Sequence, residues 1–409
     1  MIVYRIIRAT SPLSFAISSS TTCNDVHDCR TVPSIGFNCA STIFLCTWVA
    51  LHLDVPEDPW EALWKSVLRR VGWTMMALLA PEAVLLMAFL DWIGSSNDLN
   101  NKLSEFGNAF IYIVDAHHLL LMTDRDPTCD WTETHAMLAR MRGLRVEAED
   151  GSWRVREYIG GITSDVRMPT MREIQDRSKG DAVAKAITIV QTLWFAIQAA
   201  HRISQGLVVT ELELTTLGHV VLNIFVYWCW WNKPLNLQFP VDVYRAGDRG
   251  EAPNGELHPL EIESQGPALR RKLPIRVRMG TYFARNFSDL DWKGVVVLIC
   301  FSIIGGIFGA IHCLAWNSTF PTNAEHLLWR VSALVVTAFP GLGFAVFVFG
   351  DQETSGRMEG SLKAAAWFLA VVYCLGRVCL LALGLAALRA LPESAYEVPS
   401  WTVYIPHIG

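Results

Sequence analysis

Four of the titratable side chains within the predicted hydrophobic segments have types that suit ion binding or proton transfer. Glu82 and Arg377 carry charges, and His219 and His312 carry imidazole rings. A charged side chain at the middle of a bilayer costs about 2.5–3.5 kcal/mol or more, which makes each one a candidate functional residue. The matching depth of Glu82 and Arg377 in their segments predicts an ion pair. We interpret that pair as structural, with a transport or proton-relay site as the alternative.

Polar side chains also form a stripe on each of two adjacent hydrophobic segments. The members follow one another at steps of three or four residues, so each set lies on one face of a helix. They are Gln191, Trp194, Gln198 and His201 on the first segment, and Thr215, His219, Asn223 and Tyr227 on the second. The stripes indicate hydrogen bonds between helices, worth about 0.6 kcal/mol each, or alternatively a polar-lined path.

A glycine pattern predicts how the segment that carries His312 packs. Gly305, Gly309, His312 and Trp316 share one helix face. Two small residues four positions apart are typical of closely packed membrane helices. We therefore expect His312 to pack against a neighbouring helix rather than to face a pore.

A repeated pattern precedes four of the hydrophobic segments, in which Ser or Thr is followed three residues later by Glu or Asp. The pairs are Ser178 with Asp181, Thr210 with Glu213, Ser288 with Asp291, and Thr322 with Glu325. This spacing is typical of a capping box, which satisfies backbone N–H groups that a helix start leaves free. The pattern predicts that these carboxylates begin helices. A cation-attracting rim that includes Glu211 is the alternative.

Long helices must hold these residues in place. The chain has 409 residues, of which 52% are hydrophobic and 18% are charged, whereas soluble domains carry about 25% charged residues. A membrane-spanning helix needs about 20 mostly apolar residues. Seven segments qualify: 35–53, 71–93, 183–204, 212–232, 294–316, 326–349 and 364–389. The predicted fold class is therefore all-α, a polytopic helical membrane protein with about seven transmembrane helices.

Lysine and arginine counts predict the side of the membrane that each connection occupies. The polar stretches 94–182 and 233–293 hold eleven and ten of these residues, whereas the turns 205–211 and 317–325 hold none. The positive-inside rule places both long stretches in the cytoplasm and both turns outside. The second stretch includes a Gly-, Pro- and Glu-rich segment, 246–268, that predicts a mobile linker.

This arrangement predicts a cytoplasmic N-terminal segment, 1–34, and an exterior C-terminal tail, 390–409. Between the two long loops, 183–232 forms a hairpin of two spans; 35–93 holds the first two spans and 294–389 the last three. The glycosylation sequon at Asn317 lies in an outer turn and is expected to be usable, whereas the one at Asn286 lies in an inner loop.

Several classes of function are disfavoured by the residues present. The net charge of −5 gives no basis for a nucleic-acid partner. The spacing of His117, His118, Cys129 and His135 fits no standard zinc site, so no metal is expected. Without a Gly-rich phosphate loop or a nucleophile elbow, no cofactor is expected either. The expected partners are the lipid bilayer, in the secretory pathway or plasma membrane, and proteins that bind the cytoplasmic loops.

Specific motifs cover most of the predicted membrane part: CTWVALHLDVP (46–56), APE (80–82), IQDRSKGDAVAKAITIVQTLWFAIQ (174–198), TELELTTLGHVVLN (210–223), YWCWWNKPLNLQFPVDV (227–243) and GIFGAIHCLAWNSTFPTNAEHLLWRVSA (306–333). With these motifs the chain resembles a large family of fungal multi-span membrane proteins. Residues 130–144 are similar to a family segment of the type WTxTHGFFxxMGGF, and 107–129 resembles an addition to it. The resemblance implies a fold and a membrane location, and it implies no mechanism.

Three function classes remain from the sequence. The first is a transporter or channel with a path along the third and fourth spans, lined by Gln198, His201, His219 and Asn223. Glu82 and Arg377 would gate this path or hold it together. The second is a membrane scaffold or sensor that acts through its cytoplasmic loops. The third is a membrane-embedded enzyme acting on a lipid or terpenoid, with intramembrane His and Glu as acid and base.

Overall fold

The structure is a computed structural model of the full chain. It describes residues 30–56, 63–105, 132–147, 153–156, 169–178, 181–243, 292–350 and 356–397. Several sequence predictions lie outside these residues: the cap pair Ser288 and Asp291, the sequon at Asn286, the candidate addition 107–129, and the linker 246–268.

The described part of the chain is mostly helical. Its α-helices are α1 (Val32–Phe44), α2 (Leu63–Leu79), α3 (Pro81–Glu105), α4 (Glu133–Arg140), α5 (Met171–Arg177), α6 (Asp181–Gln205), α7 (Glu211–Cys229), α8 (Trp292–His312), α9 (Asn323–Gly350) and α10 (Gly356–Ala387). A π-helical turn, Leu45–Val49, extends α1, and short 3-10 turns follow α8 and α10.

Four helical segments in the described ranges are long and apolar enough to cross a membrane. They are Val32–Val49, Ala182–Gln205, Glu211–Cys229 and Trp367–Ala387. The bent pair Trp64–Leu79 and Pro81–Ser96 passes the same test if its two parts count as one span, and Ile299–Ala315 is a shorter apolar helix. The figure of about seven spans stays a prediction.

The second predicted span, 71–93, is wrong as one continuous helix. It is divided between α2 and α3, whose axes meet at 108° on either side of Ala80. Pro81 causes the break, because its ring clashes with the carbonyl one turn earlier and it has no N–H to donate. Proline is well tolerated at the first position of a helix, so the chain restarts directly as α3.

Helix α7 is the centre of the bundle. In the apolar stretch of α7, 72% of the residues are buried, compared with 28% to 33% in the corresponding stretches of α1, α6 and α10. It contacts α1, α3, α6, α8 and α10. The peripheral helices carry large apolar side chains on their outer faces, such as Val190 on α6 and Phe368 on α10, each 68% exposed. An apolar outer surface around a helical core is what a bilayer requires.

The described residues also include a small sheet, which the all-α prediction did not contain. Strand β1 (Leu144–Glu147) pairs antiparallel with β2 (Trp153–Arg156) and parallel with β3 (Val241–Val243), in the order β2-β1-β3. Buried apolar side chains of α4, α5, β1 and β3 form a separate hydrophobic core beneath it. We call this sheet with α4 and α5 the α/β unit. Strands of three or four residues are too short for hydrophobic alternation to reveal.

Candidate functional site

Arg377 lies at the centre of a buried polar cluster where α2 and α3 meet α7, α8 and α10. Its side chain is 0% exposed. Nε donates to the Leu79 carbonyl at 3.3 Å, and Nη2 donates to the Leu78 carbonyl at 3.2 Å. These carbonyls belong to the last turn of α2, where carbonyls have no partner within the helix and the helix dipole favours a cation. The guanidinium therefore caps the end of α2 at the break.

Two imidazoles contact the same guanidinium. Nε2 of His312 lies 3.3 Å from Nη1, and Nε2 of His219 lies 3.3 Å from Nη2. The Nδ1 atoms face backbone carbonyls one turn earlier, those of Phe308 and Thr215, each at 3.0 Å. Arginine can only donate and a carbonyl can only accept, so we assign the proton of each ring to Nδ1 and a lone pair on Nε2 to Arg377. His219 Nε2 also lies 3.4 Å from the Leu78 carbonyl, and with this assignment that approach is not a hydrogen bond. Both imidazoles are neutral in this arrangement.

Glu82 belongs to the same cluster but does not contact Arg377. Its carboxyl is buried, and Oε2 accepts a hydrogen bond of 2.5 Å from the hydroxyl of Tyr373, one turn before Arg377 on α10. The other oxygen, Oε1, has no hydrogen-bond partner. No ion pair within 4.0 Å joins Glu82 to Arg377, so the predicted ion pair is not a direct salt bridge, although the charge of each group acts on the other. The hydroxyl of Tyr373 takes the contact with the carboxylate that the guanidinium was expected to make.

A small cavity lies next to the cluster, with a volume of about 20 Å³. His219 and Asn223 of α7 line it together with Pro81 at the helix break and Thr47 of the π-helical turn. Most of its other lining residues are apolar, and a cavity of this size has room for about one water molecule. Arg377 and Glu82 do not line it, so the cavity adjoins the cluster only at His219.

The polar stripe of α6 does not face α7. Gln191 Nε2 donates to Asn38 Oδ1 at 3.1 Å and to Thr42 Oγ1 at 3.2 Å, and Asn38 Nδ2 donates to Gln198 Oε1 at 3.3 Å. Gln191 and Gln198 thus bind α6 to α1 as helix-joining hydrogen bonds. His201, further along the same stripe, is half-buried. The residues predicted to line a path are divided, because only His219 belongs to the Arg377 cluster, while Asn223 lines the cavity beside it.

The expected capping boxes have different outcomes. Thr210 and Glu213 form a complete one at the start of α7, with Glu213 Oε2 accepting from the Thr210 N–H at 2.9 Å. Thr322 Oγ1 accepts from the Glu325 N–H at 3.2 Å. Ser178 does not cap α6, although α6 does begin at Asp181. Its hydroxyl instead exchanges hydrogen bonds with the backbone of Leu235, at 2.9 Å and 3.1 Å.

Glutamates at the two helix starts are also held by arginines. Glu213 forms an ion pair with Arg30, and Glu325 forms one with Arg389. Glu211, in the first turn of α7, is 5% exposed. These contacts agree with a structural role for the carboxylates, since a rim that attracts cations from solution needs exposed ones.

A second buried cation, Lys233, lies just beyond the end of α7. Its Nζ is 2.8 Å from Asp91 Oδ2 and 3.1 Å from Asp54 Oδ1, and Trp230 Nε1 donates to the same Asp91 oxygen at 3.0 Å. Burial lowers the pKa of the Lys233 ammonium, but the charges of Asp54 and Asp91 outweigh burial and raise the pKa above its ordinary value. The lysine is therefore charged at neutral pH and joins α7 to α3.

The α/β unit is attached beside Lys233. Asn232 Nδ2 donates to Glu133 Oε2 at 2.7 Å, and the Val55 N–H donates to the Met141 carbonyl at 2.9 Å. Burial raises the pKa of Glu133, and the hydrogen bond from Asn232 partly opposes that rise. The unit is thus hydrogen-bonded to the helical bundle at both ends of α4.

Comparison with known proteins identifies the family. Residues 3–250 and 293–408 match a family of unknown function, DUF8562. The chain belongs to this family. No curated protein matches it, and no solved structure matches it. Membership in DUF8562 therefore leaves the role of the Arg377 cluster to be argued from its geometry.

The sequence analysis did not identify several residues that form buried polar contacts in this DUF8562 member. Tyr373 precedes Arg377 by one helical turn, a spacing that could have identified it as a partner. Arg202 on α6 is 2% exposed and donates to the carbonyls of Val208 and Glu397, each at 2.7 Å. Asp91 gave the clearest signal, a carboxylate inside a predicted span. Within the described residues, no group of three His, Cys, Asp or Glu side chains could hold a metal.

Proposed function

We propose that this chain is a multi-pass integral membrane protein that transports small ions, and that the Arg377 cluster is its ion site. One observation carries the proposal: a permanently charged guanidinium is fully buried at mid-helix, and no carboxylate of the described residues lies within 4.0 Å of it. Neutral carbonyls and neutral imidazoles hold it instead. A charge kept at membrane depth without a contacting counter-ion is costly and marks an ion pathway or site.

The break between α2 and α3 supports the same proposal. In many transporters, discontinuous helices bring their ends to mid-membrane and direct them at the transported ions. Here the end of α2 and the start of α3 both meet the cluster, with Arg377 on the Leu78 and Leu79 carbonyls and Glu82 in the first turn of α3. The proposed site therefore replaces the path predicted along the third and fourth spans.

The α/β unit supports the proposed sidedness. Its strands β1 and β3 come from the two long loops, and they pair in register from Leu144 with Val241 to Val146 with Val243. Both loops must therefore lie on one side of a membrane, which agrees with a cytoplasmic assignment. Asn317 is exposed in the turn between α8 and α9, as glycosylation on the opposite side requires. We place the protein in the secretory pathway or plasma membrane.

Ion flux through reconstituted vesicles tests the transport function. Purified protein in phosphatidylcholine vesicles is expected to carry chloride, sodium or potassium ions faster than protein-free vesicles do, measured as a current after a concentration jump. Tyr373→Phe keeps the ring but removes the hydroxyl that holds Glu82, so it is expected to slow the flux. Asp54→Asn, an exposed change outside the cluster, serves as control and should leave it unchanged. Folded wild-type protein that moves none of these ions would refute the proposal.

A scaffold or sensor role is the second candidate, and the α/β unit is the observation in its favour. A folded unit with its own core, built from both loops, is more than a connection between spans requires. This role predicts that deletion of 246–268 changes the phenotype in cells while substitutions at Arg377 do not. The enzyme alternative has less support, because both ring nitrogens of His219 and His312 already have partners.

A further inference from the structure

Contacts between helix ends show which of them lie on the same side of the bundle. The N–H of Arg30, just before α1, donates to the carbonyl of Tyr396, after α10, at 2.9 Å. Arg202, near the end of α6, donates to the carbonyl of Ser394 at 3.0 Å. The start of α1, the end of α6 and the end of α10 therefore lie together. We call this the terminal side of the bundle.

Two ion pairs add three more helix ends to the terminal side. Arg30 pairs with Glu213 in the first turn of α7, and Arg389, beyond the end of α10, pairs with Glu325 in the first turn of α9. A short turn, 316–322, joins α8 to α9, so α8 also ends there. Six helices thus have one end on the terminal side: α1, α6, α7, α8, α9 and α10.

The α/β unit lies at the opposite ends of these helices. The Val55 N–H, beyond the end of α1, donates to the carbonyl of Met141 in this unit, and Asn232, beyond the end of α7, donates to Glu133 at the start of α4. We call this the loop side, because both long loops contribute strands to the unit. Each helix of a bundle that spans a membrane connects the two sides once.

The pairing of the two chain ends limits the number of crossings. An odd number would put the start of α1 and the end of α10 on opposite sides of a membrane, yet Arg30 and Tyr396 are hydrogen-bonded. Six helices already account for an even number. A seventh crossing by the segment 71–93, which is divided between α2 and α3, is therefore incompatible with this contact.

The helices α2 and α3 instead begin and end on the same side. Arg70 of α2 donates to the side chain of Asn236 and to the carbonyl of Trp48 at 2.8 Å. Asp91 of α3 accepts from Lys233 at 2.8 Å. Lys233 and Asn236 belong to one short segment that follows α7 on the loop side. The chain from Arg70 to Asp91 therefore leaves that segment and returns to it.

The break between α2 and α3 reaches the middle of the bundle. Arg377, at the centre of the apolar stretch Trp367–Ala387, donates to the Leu78 and Leu79 carbonyls. From Arg70 to Leu79, α2 extends about 13 Å at 1.5 Å per residue, close to half of a hydrocarbon core of about 30 Å. Backbone interrupted at that depth must find its partners within the protein, and Arg377 supplies them.

The outer face of α2 is apolar along its length. Trp64, Leu68 and Met75 are 63%, 61% and 46% exposed, and their spacing places them on one face of the helix. An apolar patch of this kind is unfavourable in water and marks an interaction surface. Because α2 extends inward from the loop side, the occupant that fits this face is the lipid acyl chains of the leaflet on that side.

We propose that α2 and α3 form a re-entrant hairpin, inserted from the loop side with the outer face of α2 against lipid, and that the chain crosses the membrane six times. Lysine and arginine in the long loops make the loop side cytoplasmic, so Arg30 and Tyr396 lie on the exterior side. This reverses the sidedness predicted for the segment 1–34. The inference rests on the proposed membrane location and is independent of ion transport.

Cysteine labelling in sealed membrane vesicles tests the hairpin. Lys65→Cys precedes it and Gln175→Cys follows it, while Gln205→Cys and Glu393→Cys lie on the terminal side, and all four positions are exposed. A membrane-impermeant maleimide attached to polyethylene glycol adds one mass step for each reactive thiol, and wild-type protein gives the labelling of the native cysteines. The additional label on Lys65→Cys and Gln175→Cys is expected from one side, and that on Gln205→Cys and Glu393→Cys from the other.

Labelling of Lys65→Cys and Gln175→Cys from opposite sides would overturn the inference, because the segment 71–93 would then cross the membrane. Labelling of Gln205→Cys and Glu393→Cys from opposite sides would overturn the count of six crossings.

Met75→Cys tests the lipid contact, with Lys65→Cys as its matched control on the same helix. Both positions are exposed on the protein, so only lipid can distinguish them. We expect Met75→Cys to lose the additional label in intact membranes and to gain it after unfolding in dodecyl sulfate. Equal labelling of both variants in intact membranes would place α2 in water and overturn the inference.

The membrane location is tested separately by extraction of the membranes with alkaline carbonate. Release of the wild-type protein into the soluble fraction would refute the location, and with it the proposed transport. Protein that stays in the membrane but labels in the wrong pattern would refute only the hairpin.

Discussion

The two buried cations of this protein are held in opposite ways. Lys233 is 2% exposed and contacts two carboxylates, those of Asp91 and Asp54. Arg377 is 0% exposed and contacts carbonyls and imidazoles, whereas the carboxyl of its cluster, that of Glu82, is bound to Tyr373. A contacting carboxylate neutralises a lysine permanently, whereas a carboxyl held apart can change its own protonation. The first arrangement suits a structural junction and the second suits a site that binds and releases ions.

The largest stability effect is expected at Arg377. Arg377→Leu leaves the buried carbonyls of Leu78 and Leu79 without donors at the helix break and removes the charge opposite Glu82. We expect a loss of about 3–5 kcal/mol in the free energy of unfolding, since this is the usual cost of removing one member of a buried charged network. Denaturant unfolding in detergent measures it. A loss below about 1 kcal/mol would mean that the guanidinium reaches water.

The next largest effect is expected at Asp91. Asp91→Asn keeps the shape of the side chain but leaves Lys233 with only the half-exposed Asp54 as its counter-ion, at a cost of about 2–3 kcal/mol. Asp54→Asn is the matched control and should cost less than about 1 kcal/mol, because solvent screens that carboxylate. Equal losses in the two variants would contradict the assignment of Asp91 as the principal partner.

The pH dependence of stability should also distinguish the two buried cations, Lys233 and Arg377. Because the folded pKa of Lys233 is raised, the stability from its charge is complete below the unfolded pKa and is lost only as pH rises through the folded pKa, in the alkaline range. Melting curves near neutral pH should therefore not depend on this junction. If stability depended on pH near neutral pH and Asp91→Asn abolished that dependence, the assignment of Lys233 as permanently charged there would be contradicted.

A packing change near the cluster is expected to have a smaller effect than either charge change. A Cβ on Gly309 would collide with the backbone of Thr337 on α9, so Gly309→Ala forces α8 and α9 apart and should cost about 1–3 kcal/mol. At Gly306 the nearest atom, the Thr337 carbonyl oxygen, is 3.9 Å away. Gly306→Ala is therefore the control, with a change within about 1 kcal/mol, in melting experiments on both variants.

The smallest effect is expected where the α/β unit joins the bundle. Burial raises the pKa of Glu133, so its ionised form is disfavoured at neutral pH. Glu133→Gln removes that charge, and its amide oxygen can still accept from Asn232. We expect a gain of about 0.5 kcal/mol or less in unfolding free energy, which disappears as pH falls and the wild-type carboxyl becomes protonated. A clear loss would show that the ionised carboxylate is needed.

The sequence allowed the helices to be located, because long apolar runs and caps are local signals. The predicted 212–232 corresponds to α7, Glu211–Cys229, and the Thr210–Glu213 spacing predicted where α7 begins. The glycine spacing in α8 likewise predicted the close approach to α9 at Gly309. The number of spans and the membrane itself are still predictions.

Partners across the bundle could not be predicted in the same way. A polar stripe shows which face of one helix is polar, but not which neighbouring helix meets that face. The stripe of α6 predicted hydrogen bonds between helices, and only the structure shows that Gln191 bonds Asn38 of α1. Lys233 follows a predicted span directly, and the sequence does not indicate its partners Asp54 and Asp91, because they are distant along the chain. Pro81 did signal the helix break, since proline interrupts helices, yet its segment was long enough to be interpreted as one span.

Two double-mutant cycles in the same protein test the central claim most directly. One combines Asp91→Asn with Lys233→Met, and the other combines Glu82→Gln with Arg377→Leu, both measured as unfolding free energy in detergent. The account predicts a coupling of about 2 kcal/mol or more at the contacting pair and about 1 kcal/mol or less at Glu82 and Arg377. If Glu82→Gln were as damaging as Arg377→Leu and the double variant largely recovered, the two would be a structural ion pair, and the ion-site interpretation would be contradicted.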